Sequence, residues 1–219
     1  MKLILASNSP RRRQLLAGLD IPFEVRVIDG IDESCPLGTA ARDVPAYLSR
    51  KKAEAYVLDD ADEVLITADT VVAVDGMVLG KPYDASEARA MLRILSGRGH
   101  EVITGVTLRG ELVRRALKSQ ISNRKPQTSN LKPQTSNLTG CDDSFTFTSC
   151  TKVFFAELSD EQIDYYVERY NPMDKAGAYG IQEWIGYVAV RRIEGSYYNV
   201  MGLPVQALSE HLRKLEKGL

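Results

Sequence analysis

Apolar and polar positions follow two rhythms along the chain, and the switches between them outline its elements. Residues 3–6 form a short unbroken apolar run, the pattern of a buried strand. Ser9 and Pro10 then supply an N-cap and a first-turn proline, and Leu15, Leu16 and Leu19 predict a helix bounded by Gly18 and Pro22. Asp43 opens a second predicted helix to about residue 58, with Val44, Leu48 and Ala55 on one face and Lys52 on that same face. Residues 64–68 predict a buried strand ending at Asp69. Residues 71–74 and 77–79 predict two more, joined by Asp75-Gly76, a type I′ hairpin signal.

Further along, residues 86–96 predict a helix closed by Gly97, and residues 101–108 and 111–117 a hairpin around Arg109-Gly110. A strand is expected at 151–155, and then a helix with a capping box at Ser159 and Gln162 and Ile163, Tyr166, Val167 and Tyr170 along one side. Residues 187–193 predict a strand and 204–215 an amphipathic closing helix. Strands and helices alternate without a repeated unit, so the expected class is α/β, a mixed sheet flanked by helices.

The pattern breaks between about residues 119 and 143. There Lys125-Pro126-Gln127-Thr128-Ser129-Asn130-Leu131 is repeated at once as residues 132–138, a tandem heptamer too polar to offset its own ordering. A disordered insertion in an otherwise single domain over 1–219 is the expectation.

Composition narrows the function. With 28 Lys+Arg against 29 Asp+Glu the formal net charge is −1, which argues against holding a long nucleic acid by bulk electrostatics, so any anion site must be a local cluster. Three cysteines without Cys-x-x-Cys spacing suit a reducing cytoplasm rather than a zinc site or disulfide framework. No run approaches the roughly 20 apolar residues of a membrane span. The chain lacks the phosphate-binding Gly-x4-Gly-Lys-Ser/Thr loop, Gly-x-Gly-x-x-Gly, His-Glu-x-x-His and Gly-x-Ser-x-Gly, and it has two histidines, His100 and His211. What remains is an inventory of cations and carboxylates, suited to phosphate chemistry assisted by a hard metal.

Several positions carry that chemistry. Arg11, Arg12 and Arg13 crowd the first turn of the Ser9-capped helix, where their charge opposes the macrodipole unless an anion sits there; arginines splayed into water are the alternative. Lys52, on an apolar face, either snorkels outward or meets an anion. Asp69 and Thr70 end a hydrophobic strand, where open α/β sheets place active groups, or form a simple turn. Lys81, in Gly80-Lys81-Pro82, is either aimed by its rigid neighbours or solvated. The glycine- and alanine-rich segment from Asp174 to Gln182 suits close approach to a ligand or a tight connection.

Taken in order, Ala6-Ser7-Asn8-Ser9-Pro10-Arg11-Arg12, Lys52-Ala53, Ala68-Asp69-Thr70-Val71-Val72, Gly80-Lys81-Pro82, Leu95-Ser96-Gly97 with His100, Asp174 to Gln182, and Gly195-Ser196-Tyr197 with Gly202-Leu203-Pro204 resemble the motif set of the Maf family. The resemblance covers the chain except about 119–150. It implies two lobes around a deep cleft in a fold of the inosine triphosphate pyrophosphatase type, often a homodimer, and hydrolysis of a nucleoside triphosphate between its α and β phosphates. Asp69 matches the catalytic acidic residue, and Arg11, Arg12, Lys52 and Lys81 the triphosphate-contacting cations, with Ser9 beside them. Glu33, in a loop that also carries Asp29 and Asp32, matches a further acidic residue holding Mg²⁺ or Mn²⁺ together with Asp69. Arg12, Thr70 and Gln182 match the positions that mark the dTTP/UTP branch. Two other functions compete: a non-enzymatic regulator of septum formation acting through a partner, and a nucleic-acid-binding module built on the arginine helix.

Overall fold

The computed structural model describes residues 1–122 and 143–216. Seven strands form one mixed sheet: β1 (Lys2–Leu5), β2 (Phe23–Val25), β3 (Glu63–Val74), β4 (Met77–Leu79), β5 (Gly99–Arg109), β6 (Ser144–Phe155) and β7 (Val190–Glu194). Their order is β2-β1-β3-β5-β6-β7, with β4 folded back on β3. β1 runs parallel to both β2 and β3, whereas the β3–β5, β5–β6 and β6–β7 pairs are antiparallel. Among the described residues eight α-helices pack around it: α1 (Pro10–Ala17), α2 (Val44–Glu54), α3 (Ala85–Leu95), α4 (Glu111–Ser122), α5 (Asp160–Tyr170), α6 (Trp184–Ala189), α7 (Tyr197–Met201) and α8 (Val205–Glu216).

β3 explains why the molecule has two lobes. Successive strand residues point to opposite faces. Val64, Ile66 and Ala68 join one apolar core with Leu15 and Leu16 of α1 and Leu208 and Leu212 of α8. Val72 and Val74, on the same face farther along, join a second core with Leu92 and Leu95 of α3 and Ile163 and Tyr166 of α5. Thr70 falls between the two cores. The other face is covered by α2: Leu65 packs with Ala53 and Tyr56, and the Thr67 hydroxyl donates to Ser49 O at 2.6 Å.

Local chemistry set several elements as expected. Ser9 caps α1, and Ser159 and Gln162 form the reciprocal capping box of α5. Asp75 and Gly76 both have positive φ, 50° and 80°, as the β3–β4 hairpin requires.

Other expectations are corrected. β3 does not stop before Asp69 but runs through it, because β5 pairs across the polar step, Asp69 opposite Gly105 and Thr70 opposite Thr104. What ends there is the parallel pairing with β1, at Ile66. Residues 111–117 are helical, not the second arm of a hairpin: Leu112, Val113, Ala116 and Leu117 recur at helical spacing, and Glu111 holds Arg114 and Arg115 one turn on at 2.6 and 3.0 Å. The same helix takes in residues 119–122, which had been assigned to the insertion. β6 begins at Ser144, not at residue 151, because its whole length pairs with β5. Residues 184–189 form α6, burying Ile185 and Ala189 at i,i+4, so β7 starts only at Val190. The second helix ends at Glu54 rather than near residue 58, and Asp43 makes no capping bond. The tandem heptamer lies outside the described residues.

Candidate active site

A cleft of about 440 Å³ opens between the two cores, and it is lined by Ser9, Arg11, Arg12, Glu33, Lys52, Asp69, Thr70, Lys81 and Gln182, whereas Arg13 of the same arginine turn lies outside it. It lies past the carboxyl end of β1, where the β1–α1 connection turns.

The three arginines of α1 divide their tasks. Arg13 braces the preceding turn, donating to Ser7 O at 3.3 Å and Asn8 Oδ1 at 3.4 Å. Arg11 crosses the cleft mouth to Asp174 Oδ2 at 2.7 Å. Arg12 enters the cleft and donates from Nε to Gly202 O at 2.8 Å, from Nη1 to Ala68 O at 2.8 Å and from Nη2 to Thr70 Oγ1 at 3.0 Å. All three partners are neutral, so a full positive charge is held without a bonded carboxylate. Burial lowers its pKa from the ordinary value while Asp69 and Glu33 raise it; an arginine stays protonated throughout.

Asp69 faces α2. That helix approaches the sheet closely because β5 carries Gly105, where a Cβ would lie 2.4 Å from the carbonyl carbon and oxygen of Pro45. Lys52, two turns on, then reaches Asp69 Oδ1 at 2.7 Å and Glu33 Oε1 at 3.0 Å. The lysine does not snorkel; only 15% of its side chain is exposed. Partial burial pushes the Glu33 carboxyl up, but Lys52, Lys81 and Arg12 outweigh it and hold the group below its usual range. Asp69 Oδ2 carries no hydrogen bond among the described residues. Lys81 likewise has no ion-pair partner there.

At the opposite wall, Gln182 makes no hydrogen bond among the described residues, and its Oε1 is buried without a partner. A buried orphan acceptor costs about 1–3 kcal/mol, which a ligand donor would recover. Lys175, beneath it, was not singled out as a site residue although it sits within the Asp174–Gln182 segment. It is buried and pairs with Asp174 at 2.7 Å and Glu183 at 3.2 Å. Glu183 also accepts from the Tyr166 hydroxyl, which in turn accepts from Gly180 N at 3.0 Å. This network fixes the loop carrying Gln182. His100 is buried against Phe155 and Tyr179, its Nε2 2.7 Å from the Tyr179 hydroxyl, and burial holds its pKa down near about 4; it is a neutral core residue.

Carboxylates, unpaired cations and an unpaired amide in one cleft define a protein built to take a small, highly charged anion bearing a polar group. The chain belongs to the Maf family, whose model, described as Maf-like protein, matches residues 2–215. It is 48% identical to the dTTP/UTP pyrophosphatase of Phocaeicola vulgatus over 98% of this chain and 96% of that one. Identity to the protein of the same name from Porphyromonas gingivalis is 49%, over 97% and 93%, and to that from Bacteroides thetaiotaomicron 46%, over 98% and 96%. Among solved structures, a nucleoside-triphosphatase/dITP/XTP pyrophosphatase from Mycobacterium abscessus aligns over 100% of this chain and 99% of its own at 16% identity, with a TM-score of 0.42. No helix among the described residues is long and apolar enough to cross a membrane.

Proposed function

We propose that the chain is a nucleoside triphosphate pyrophosphatase that hydrolyses dTTP and UTP to the nucleoside monophosphate and pyrophosphate. One observation carries the reading: the same cleft holds a carboxylate with a free oxygen, a set of cations and an unpaired amide. These are the three parts that water activation, a triphosphate and a base require. The names of the relatives, nearly half identical over almost the whole chain, support it.

In this reading Asp69 Oδ2 orients the attacking water and takes its proton, while Lys52 on Oδ1 holds the carboxylate in position. Lys81, which breaks no ion pair to do so, and Arg11 meet the phosphates and stabilise charge on the departing pyrophosphate. Ser9 and the first turn of α1 add their hydroxyl and backbone N–H groups. Arg12, Thr70 and Gln182 face the base. The Gln182 amide offers a donor to the O4 carbonyl of thymine or uracil.

A divalent cation belongs to the proposal. Among the described residues no group of three or more His, Cys, Asp or Glu side chains could hold one. Two carboxylates, Asp69 and Glu33, nevertheless fit Mg²⁺ or Mn²⁺, which keep several waters and complete their shell from substrate phosphates. When bound, the ion supplies Lewis-acid polarisation of the phosphoryl oxygens. The same reading has the protein acting on free nucleotides in the cytoplasm, with a homodimer open to test by sedimentation. No observation favours the non-enzymatic regulator or the nucleic-acid module.

Incubating the purified protein with dTTP or UTP and Mn²⁺ and separating the products tests the proposal. Equimolar monophosphate and pyrophosphate are expected; release of orthophosphate, or no turnover, overturns it.

A further inference from the structure

The hydroxyl of Thr70 belongs to a chain of hydrogen bonds whose direction can be worked out. At one end Arg12 Nη2, which can only donate, lies 3.0 Å from Thr70 Oγ1. At the other end Thr104 Oγ1 lies 3.2 Å from Asn199 O, a carbonyl that can only accept. Between them, Thr70 Oγ1 and Thr104 Oγ1 are 3.0 Å apart. A hydroxyl has one hydrogen and two lone pairs. With the Thr104 hydrogen on Asn199 O, Thr104 accepts from Thr70; the opposite sense of the Thr70–Thr104 contact would leave Asn199 O to Gly202 N alone. Thr70 therefore spends its hydrogen on Thr104, and one of its lone pairs on Arg12. What it has left for the cleft it lines is one lone pair and no hydrogen.

From this geometry we infer that Thr104 is a positioning residue for base selection: it locks Thr70 as an acceptor, so that the cleft favours a base with an N–H donor at that point. The inference rests on the pyrimidine reading above and extends it to a residue that touches no ligand. Thymine and uracil carry one ring donor, N3–H, flanked by the carbonyls O4 and O2. Arg12 keeps two N–H hydrogens beyond its three bonds, so a donor stands beside the Thr70 acceptor. Cytosine presents a bare N3 lone pair, which would face the lone pair of Thr70 without a hydrogen between them. Space for the approach is kept by Gly202, where a Cβ would stand 3.6 Å from Arg12 Nε and 3.7 Å from Thr70 Oγ1.

The lock has supports that make it rigid. Thr104 and Asn199 are fully buried. Asn199 Nδ2 is tied to Val102 O and Thr151 Oγ1, both at 3.0 Å, and its own carbonyl also accepts from Gly202 N at 3.0 Å. That second bond means Asn199 O stays satisfied if Thr104 loses its hydroxyl. Thr104→Val is thus a near-isosteric change whose chief effect is to release the Thr70 hydrogen, which can then turn into the cleft and meet the cytosine N3.

The experiment is kcat/KM for UTP and CTP on wild type, Thr104→Val and Thr104→Ser, with thermal melts to establish folding. Wild type should favour UTP. In Thr104→Val the UTP:CTP ratio should fall by about tenfold, the usual scale for one paired or unpaired buried polar group. The change should come from a lower KM for CTP, with kcat for UTP within about twofold of wild type. Serine keeps both functions of the oxygen and should keep the wild-type ratio. If valine does not fold at this position, Thr104→Ala carries the same expectation. A folded Thr104→Val or Thr104→Ala with the wild-type ratio overturns the inference, as does an equal fall in the valine and serine variants, which would mark a packing effect. A wild-type enzyme that does not distinguish UTP from CTP sinks the pyrimidine reading itself.

Discussion

Gly105→Ala tests how the proposed site is assembled, because it disturbs the Lys52–Asp69 pair without touching either member. Gly105 stands opposite Asp69 on β5. A Cβ there would lie 2.4 Å from Pro45 C and O and 2.5 Å from Ala46 N, where ordinary contact begins at 3.4 Å. All three are main-chain atoms of the first turn of α2, so no side-chain rotation relieves the clash, and the helix must back away by about 1 Å. The helix is also pinned to β3 by Thr67 on Ser49 O, so the displacement strains that bond as well. Overpacking of this kind costs about 1–3 kcal/mol, which for a chain of this size lowers Tm by roughly 2–12 °C. The functional loss should be larger in proportion. Lys52 Nζ stands 2.7 Å from Asp69 Oδ1, so the same retreat stretches the contact past hydrogen-bonding range. Misplacement by about 1 Å at a reacting centre costs on the order of 100-fold in rate. Thermal melts by circular dichroism and steady-state pyrophosphate release from dTTP measure the two effects separately. Gly18→Ala is the control, since its nearest neighbour, Leu15 O, is at an ordinary 3.4 Å; both quantities should stay near wild type. A folded Gly105→Ala enzyme with wild-type kcat/KM would refute the claim that this close approach places Lys52.

Asp69→Asn should fold normally and lose at least about 100-fold in turnover, because the amide keeps the volume but cannot take a proton; pyrophosphate release within a few-fold of wild type would remove Asp69 from the chemistry. Gln182→Glu should cut the preference for dTTP over dCTP by about tenfold, since it replaces the amide donor with an acceptor, and an unchanged ranking across the two substrates would leave Gln182 only a structural role. Glu63 gives a pH signature. Its side chain is 1% exposed, and the Arg26 guanidinium at 2.9 Å, opposed by burial and helped by Asp59 N–H and Lys2, holds the carboxyl down from 4.5 to about 2. A depressed acid stabilises the fold above its ordinary value and loses that contribution as pH falls from about 4.5 through about 2. Glu63→Gln should therefore have a shallower fall in Tm between pH 5 and pH 2.5 than wild type (pH values chosen at about the edges of that window); parallel curves would contradict the assignment.

What could be read from the sequence was what local chemistry decides. Ser9-Pro10, Asp75-Gly76 and the Ser159–Gln162 pair each specify a cap or a turn within four residues, and each formed. What failed was decided at long range in the strands, and by local ion pairs that a strand reading passed over in one helix. Asp69-Thr70 looks like the polar end of a strand, yet β5, some 35 residues later, supplies the partners that carry the strand through it. Residues 112–117 carry both a strand-like and a helix-like reading, and Glu111 with its two arginines tips them to the helix. The site shows the same division. The individual residues stood out by charge and company, and the family resemblance ordered them, but nothing local says that Lys52 lies against Asp69 rather than in solvent. Lys175 and Thr104 gave no sign of their parts, because a lysine in a glycine-rich segment and a threonine in a strand become informative only once Glu183 and Asn199 are known to lie beside them.

The ion pairs also explain how so many cations stand in one cleft without a ligand. Arg11 is neutralised by Asp174, Lys175 by Asp174 and Glu183, and Lys52 by Asp69 and Glu33. Arg12 is bonded only to neutral groups, and Lys81 is without a partner among the described residues. A triphosphate thus meets two kinds of cation. Lys81 can respond to it without breaking an ion pair, whereas Arg11 must be drawn from Asp174, and Lys52 stays on its carboxylates. Among the described residues Lys52 alone stands between Asp69 and Glu33, so two partly buried carboxylates share one counter-charge and a further positive charge there is favoured. The proposed divalent ion would supply that charge, held by Asp69 and Glu33. Under the proposed function nucleotide and metal would then strengthen each other's binding by linkage, because the substrate phosphates would complete the coordination that two carboxylates leave unfilled.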